Sequence, residues 1–241
     1  MLGKHEKAVR TTLFNGEHGL LVTFGWDAFM RIWDQRQANA LISSHEQPGK
    51  CFAASMVGHR AVVGTAGRHV LVWDVRHTAE PEQRRESSLK YQTRSVACYT
   101  DGTGFALAST EGRVAMEFFD PAPDVQANKY AFKCHRATVR GVDTVYPVNA
   151  LAFHPTFGTF ASGGCDGLVN VWDGGNKKRL CQFRKYPTSI ASLAFNNDGT
   201  KLAIASSYTF EEGERDHPLD EIFIRTITEN EAKPKKSSAK K

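Results

Sequence analysis

The stretch RRESSLKYQTRS at positions 84–95 sets Arg84, Arg85, Lys90 and Arg94 within twelve residues, with Glu86 as the one acid, a net of three positive charges. Guanidinium forks pair with carboxylate or phosphate through two parallel hydrogen bonds. Such a cluster is a solvated edge, a nucleic-acid patch or a grip for an anionic partner, and its own residues do not choose among them.

Other chemistry is sparse. There is no phosphate-binding G-x-x-x-x-G-K-[ST], no G-x-G-x-x-G, no G-x-S-x-G nucleophile elbow and no H-E-x-x-H. The nine histidines are scattered. Cys134 and His135 are adjacent, but a zinc site needs further ligands at suitable spacing. The five cysteines are odd in number and contain no C-x-x-C, so they read as small buried or half-buried thiols rather than as a disulfide framework. No cofactor, no metal and no catalysis are expected.

At 241 residues, 41% hydrophobic and 24% charged, the chain can bury a substantial core. Residues 1–10 have no apolar run of the signal-peptide kind, and no segment approaches the ~18 apolar residues of a membrane helix, so a soluble, intracellular protein is expected. The net charge of +5 belongs to the end of the chain: KPKKSSAKK (233–241) holds five lysines and no acid, so residues 1–232 sum to zero. A neutral body argues against a broad phosphate-tracking surface. Residues 229–241 read as a basic, disordered tail.

What must position the basic residues is a repeat. Trp33–Asp34, Trp73–Asp74 and Trp172–Asp173 recur, with Phe118-Phe119-Asp120 as a degraded copy. The segments TFGWDAFMRIWD, GTAGRHVLVWD, STEGRVAMEFFD and SGGCDGLVNVWD share small residues, a turn, and alternating apolar residues ending in an aromatic. The period fits a WD-type propeller blade, and the alternation fits strands covered on both faces. The expected fold is all-β, a WD-repeat β-propeller with about five blades present: 3–46, 47–88, a degenerate 89–136, 137–186 and a degenerate 187–228. Asp27, Asp34, Asp74, Asp166 and Asp173 are absorbed by this repeat. Gly58–His59 is read as the repeat's glycine–histidine pair, a structural feature. Residues 208–220 read as an exposed polar loop. Trp26 precedes the turn Asp27, outside the usual blade position; it is either a stacking anchor or packing between blades.

The strings RRESSLKYQTR, EGRVAMEFFDP, YAFKCHR, YPVNALAFHP, GGCDGLVNVWD, NKKRLCQF and YPTSIASLAFNNDGTKLAIASSY go beyond a generic WD pattern. Together they resemble the spindle-checkpoint WD-repeat family, the non-kinase partners of the Bub checkpoint kinases, over almost the whole chain. The nearest paralogous family is the WD-repeat messenger-RNA export factor of the nuclear pore; NKKRLCQFRKYPTSIASLAF fits the checkpoint family better.

The resemblance implies a seven-bladed, non-catalytic propeller in the nucleus, at kinetochores in mitosis, and in the cytoplasm. Its implied partners are an acidic motif of Bub and BubR-type kinases, related to one in a nucleoporin, and phosphorylated Met-Glu-Leu-Thr repeats of the kinetochore scaffold. Arg94 and Arg113 match the basic residues that hold the acidic motif. Lys133 and Arg136 are candidates for the phosphothreonine, and Trp26 for an anchor on the same face. Arg84, Arg85 and Lys90 are left as solvated flank, with Glu86 as their local partner. Nucleic acid and membrane are not expected partners. The chain departs from the family in carrying about five blades of seven. A truncated record lacking the first two blades is the favoured explanation; closure as five blades and association with another chain are the alternatives. An unclosed arc would expose two apolar faces.

Overall fold

In a computed structural model that describes residues 2–235, antiparallel meanders follow one another along the chain. The first sheet runs β1 (Val9–Asn15), β2 (Leu20–Gly25), β3 (Phe29–Trp33), β4 (Leu41–Glu46), and the second β5 (Cys51–Val57), β6 (Arg60–Thr65), β7 (His69–Asp74), β8 (Gln83–Glu86). The third holds β9 (Thr93–Cys98), β10 (Gly104–Ser109), β11 (Arg113–Phe118) and β12 (Tyr130–Lys133), with a short helix α1 (Pro123–Gln126) before its last strand. A separate hairpin, β13 (Arg136–Val139) and β14 (Val142–Val145), precedes the fourth sheet of β15 (Val148–Phe153), β16 (Phe160–Gly164), β17 (Val169–Asp173) and β18 (Lys178–Gln182). The fifth has three strands, β19 (Ile190–Phe195), β20 (Lys201–Ser206) and β21 (Glu221–Thr226), and leads into helix α2 (Glu229–Ala232).

The alternation within each strand sends one set of side chains to each neighbouring sheet. Phe24, Met30 and Ile32 of the first sheet meet Val63, Leu71 and Trp73 of the second. Val62 and Val72 meet Phe105 and Leu107 of the third. Val114 and Met116 meet Val148 and Phe160 of the fourth. Val169 and Val171 meet Ile190, Leu202 and Ile204 of the fifth. Phe105 is fully buried, and its truncation to alanine would cost about 3–5 kcal/mol. Among the described residues no core cluster joins the fifth sheet to the first. The sheets therefore form an arc, with Ile222 and Ile224 exposed on β21 and Val9 and Phe14 exposed on β1.

Two polar relays lock the blades. Trp33 Nε1–H donates to Thr23 Oγ1 (2.9 Å), Thr23 Oγ1 lies 2.7 Å from His5 Nε2, and His5 Nδ1 lies 2.9 Å from Asp27 Oδ1. Trp172, Ser162, His135 and Asp166 repeat it at 2.8, 2.9 and 2.9 Å. Each turn aspartate also accepts an amide, Asp27 from Phe29 and Asp166 from Leu168. Burial pushes the Asp27 pKa up, but hydrogen bonds from His5, Arg31 and the Glu6 amide outweigh it and hold the group at about 2.

Three expectations are corrected. The repeat's histidines are His5 and His135, and Gln47 stands in that place in the second blade, accepting from Trp73 Nε1 at 3.2 Å. His59 lies in the β5–β6 turn at the other end of the sheet, 3.9 Å from Asp74, because a glycine–histidine pair also suits a tight turn with Gly58 at φ +52°. The boundary at 136/137 falls inside the β13–β14 hairpin, whose two-residue turn holds Arg140 and Gly141 at φ +51° and +79°, the twist a short hairpin favours. The tail is ordered at its start. Thr228 and Glu231 form a capping box on α2, Ala232 is buried, and its carbonyl accepts from Thr159 Oγ1 at 2.7 Å. The rest of the basic tail, 236–241, lies outside the described residues.

Candidate functional site

Strand register sorts the connections into two rims. Val9, at the start of β1, pairs with Gly25, at the end of β2. The β2–β3, β6–β7, β10–β11 and β16–β17 turns therefore share one rim with the connections entering β5, β9, β15 and β19. Every site residue expected from the sequence lies on this upper rim.

The five inner strands share one irregularity there. In β1, β5, β9, β15 and β19 the pairing skips one residue near the start: Arg10, Phe52, Arg94, Asn149 and Ala191. Each is the extra residue of a β-bulge, and a bulge turns its side chain out of the regular alternation. Arg94 is thereby aimed at the fourth sheet, where its Nε and Nη2 both donate to Asn149 Oδ1 (3.1 and 2.9 Å). Asn149 Nδ2 in turn donates to Ile190 O (3.1 Å) and Thr209 Oγ1 (3.3 Å). Arg94 is thus oriented by a neutral partner and keeps its full charge for a ligand.

Arg113 opens β11, two strands away in the same sheet. It shares the parity of Ala115, which packs on the second sheet, whereas Val114 packs on the fourth. The two arginines therefore share a rim but look to opposite faces of the third sheet. Arg113 is instead brought together with Lys133, its direct cross-strand partner, and with Arg136. Arg136 Nη2 donates to the Glu111 carbonyl at 3.0 Å, and Arg113 Nε lies 3.6 Å from the Glu111 carboxylate. The Nε atoms of both arginines are buried without a hydrogen-bond partner. Of these three cations only Arg113 lies against the Glu111 carboxylate, Arg136 being bound to the Glu111 carbonyl and Lys133 lying across from Arg113, so Glu111 leaves a local surplus of two positive charges. Gly112 makes the crowding possible: at φ +64° a Cβ there would stand 2.5 Å from the His135 carbonyl.

Trp26 sits in the β2–β3 turn, 44% exposed, with Lys50 Nζ 5.7 Å from its ring centroid. It is on the same rim as the basic residues, two sheets away from them. Arg85 is not solvated flank. It donates to the Phe119 carbonyl at 3.2 Å, and its Nη1 is 3.7 Å from the buried Glu117 carboxylate. Strand alternation in β8 turns it inward while Arg84 stays exposed, and Glu86 pairs with Arg68 at 2.9 Å instead. Cys134 and His135 are engaged elsewhere, the thiol 3.5 Å from Gly112 O and the imidazole in its relay. Sequence reasoning missed Arg10, Asn149 and Glu111; the first two are bulge residues, and a bulge leaves no mark in composition or spacing that would have singled them out.

Comparison with known proteins agrees with this architecture. The WD domain, G-beta repeat family matches residues 127–173. The chain is 57% identical over 239 residues to a protein of Arabidopsis thaliana named mitotic checkpoint protein BUB3.1, covering 98% of this chain and 70% of that one. A more distant relative, mRNA export factor GLE2 of Chaetomium thermophilum, is 32% identical over 243 residues, covering 98% and 67%. Among solved structures, the β-propeller domain of Cps50 (Swd1) from Myceliophteria thermophila superposes with a TM-score of 0.69 at 13% identity, over 84% of this chain and 64% of that one.

Proposed function

This chain belongs to the Bub3 family of mitotic checkpoint WD-repeat proteins, and we propose that it is a non-catalytic adaptor of the spindle assembly checkpoint. It binds an acidic linear motif of Bub and BubR-type kinases through Arg94, and phosphorylated Met-Glu-Leu-Thr repeats of a kinetochore scaffold through Arg113, Lys133 and Arg136. It works in the nucleus and at kinetochores in mitosis, and is also cytoplasmic.

The observation that carries this reading is the distribution of cations on the upper rim. A surface ion pair is worth little, because both charges already have water and each other. Here the cations outnumber the acids. A phosphothreonine brings about two negative charges and three acceptor oxygens, which matches the surplus of two at the Glu111 turn. Arg94, held by a neutral amide, is left to pair with a carboxylate. Trp26 supplies a rigid aromatic surface on the same rim, of the kind that anchors a bound segment.

The test is capture of synthetic peptides by the purified chain. The expected result is retention of the acidic kinase-type peptide and of the phosphorylated scaffold peptide, with Arg94→Ala depleting the first and Arg113→Ala plus Lys133→Ala the second. A nucleoporin-type acidic peptide serves as the comparison arm for the nuclear-pore export reading, and preferential retention of that peptide would replace the checkpoint reading. Undiminished capture of both ligands by the triple variant would remove the proposed grip.

A further inference from the structure

A second opening lies away from the upper rim, on the flank where the third and fourth sheets meet. Tyr130 and Phe132 stand two apart on β12, so both rings point toward the fourth sheet, where Phe132 meets Trp172 at 4.8 Å between ring centroids. β12 begins and β17 ends at the lower rim, opposite Arg113 and Lys133. Between them a hollow of about 210 Å³ is lined by Tyr130, Phe132, Trp172, Asp173, Lys177 and Lys178. Tyr130 is also a wall of an adjoining hollow of about 420 Å³, which Tyr99, Phe153 and Phe157 line. The other blades seal this position: Trp33 and Trp73 are 4% and 3% exposed, whereas Trp172, their counterpart, is only half-buried.

The charges at the mouth are one-sided. Among the described residues neither Lys177 nor Lys178 makes an ion pair, and Lys177 Nζ stands over the Tyr130 ring, 4.6 Å from its centroid. Asp173, the one acid of the lining, is taken up by its own turn: it accepts Asn176 N–H at 2.9 Å and Asn176 Nδ2–H at 2.7 Å. Lys177 holds φ +55° in that turn, a conformation uncommon for a residue with a Cβ. An aromatic floor with two unpaired ammonium groups at its lip is complementary to a large apolar side chain that has carboxylates beside it. Aromatic rings also gain from edge-to-face contact with one another beyond the area they bury.

We propose that this flank hollow is a docking site for a short linear segment of a partner protein in which an aromatic residue is followed by acidic ones. The ring enters among Tyr130, Phe132 and Trp172, and the carboxylates pair with Lys177 and Lys178. The site uses none of the upper-rim cations and goes beyond the adaptor reading above. A segment held on the flank leaves that rim open, so one chain can hold two partners at once.

The test uses the full chain and a fluorescein-labelled peptide, Ser-Gly-Phe-Asp-Asp-Gly-Ser. Anisotropy titrations compare the wild type, the Lys177→Gln and Lys178→Gln double variant, the matching double arginine variant, and the Arg94→Ala and Arg113→Ala double variant. The glutamine pair is expected to weaken the peptide about fivefold, the scale of one or two exposed ion pairs. The arginine pair should restore binding, and the upper-rim variant should bind as the wild type does. Replacing the peptide's phenylalanine by alanine should cost about tenfold or more, the scale of burying one large apolar side chain. With benzoylphenylalanine in that position, irradiation should crosslink the peptide to residues 130–132 or 172–178, read by mass spectrometry. Melting curves show that each variant is folded. No binding to the wild type, equal affinity for the alanine peptide, or equal affinity of the glutamine variant overturns the site. So does loss of binding in the upper-rim variant, or crosslinks confined to the upper rim, either of which would assign the peptide to that rim.

Discussion

Arg113 faces Lys133 directly across the β11–β12 pair, so two cations occupy a cross-strand position where sheets gain from opposite charge. Like charges in that position are destabilising, and Glu111, at 3.6 Å from Arg113, offsets only part of it. A pair that costs stability on its own is what a dianionic ligand would reward. Lys133→Glu should therefore separate the two properties. The variant is expected to gain about 0.2–1 kcal/mol in a denaturant melt and to lose capture of the phosphopeptide. A variant that is both less stable and still binding would show that the pairing serves the sheet rather than a ligand.

Asn149 should act on binding without touching the ligand. It accepts both Arg94 contacts through one oxygen, and its amide is tied to the Ile190 carbonyl and Thr209. Asn149→Ala frees the guanidinium to sample other rotamers, so the acidic peptide is expected to bind several-fold more weakly. The folded state should lose about 1–3 kcal/mol, since the buried Ile190 carbonyl loses its side-chain donor. The separation is checked by titrating the phosphopeptide in parallel, whose proposed site on the opposite face of the sheet should be unaffected.

The repeat was legible because its markers are chemical. Trp33, Trp73 and Trp172 terminate alternating strands, and Asp27 and Asp166 sit six residues before two of them; in the structure those residues close the two relays. Where the relay is built differently the signal misled. Gln47 does the work of a histidine in the second blade, and His59, which has the expected glycine neighbour, belongs to a turn. The division of the basic residues was not legible either. Arg94 and Arg113 are nineteen apart and reach one rim, as strands of one sheet allow. Whether they share a face depends on a bulge at Arg94 and on strand parity at Arg113. A single skipped residue decides the first, and no composition or spacing rule reports it.

Acid should loosen the first blade in a defined window. The Asp27 pKa is depressed to about 2 in the folded chain by His5, Arg31 and the Glu6 amide acting against burial, and lies near about 3.9 when unfolded. A depressed carboxylate contributes stability that is fully present above the unfolded value and is lost as pH falls through the folded one. The melting temperature is therefore expected to fall between about pH 4 and about pH 2. Asp74, lowered to about 2 chiefly by the hydrogen bond from Arg76, titrates in the same window. Asp27→Asn should be less stable at neutral pH and show a shallower acid decline, with the Asp74 part remaining. An unchanged acid slope in the variant would show that Asp27 carries none of it.

Gly112 and Gly141 offer a matched pair for testing how the cluster of Arg113, Lys133 and Arg136, proposed above to take a phosphothreonine, is assembled. Both have positive φ, +64° and +79°, so an alanine at either pays a similar backbone strain, of order 1 kcal/mol. Their surroundings differ. A Cβ at Gly141 meets nothing within 4 Å, whereas one at Gly112 stands 2.5 Å from the His135 carbonyl and 3.0 Å from that of Tyr146. Those neighbours are backbone and cannot rotate away, so Gly112→Ala must push the segment after β12 off the β10–β11 turn. That segment follows directly on Lys133 and carries Arg136, and it is held to the turn by Cys134 N–H donating to the Gly112 carbonyl at 2.9 Å. Gly112→Ala is expected to lose more stability than Gly141→Ala and to weaken the phosphopeptide, while the acidic peptide at Arg94 is retained. Gly141→Ala should leave both peptides bound. Equal phosphopeptide affinity in the two variants would mean that the three cations do not depend on the turn for their convergence, and that their closeness is no part of a binding site.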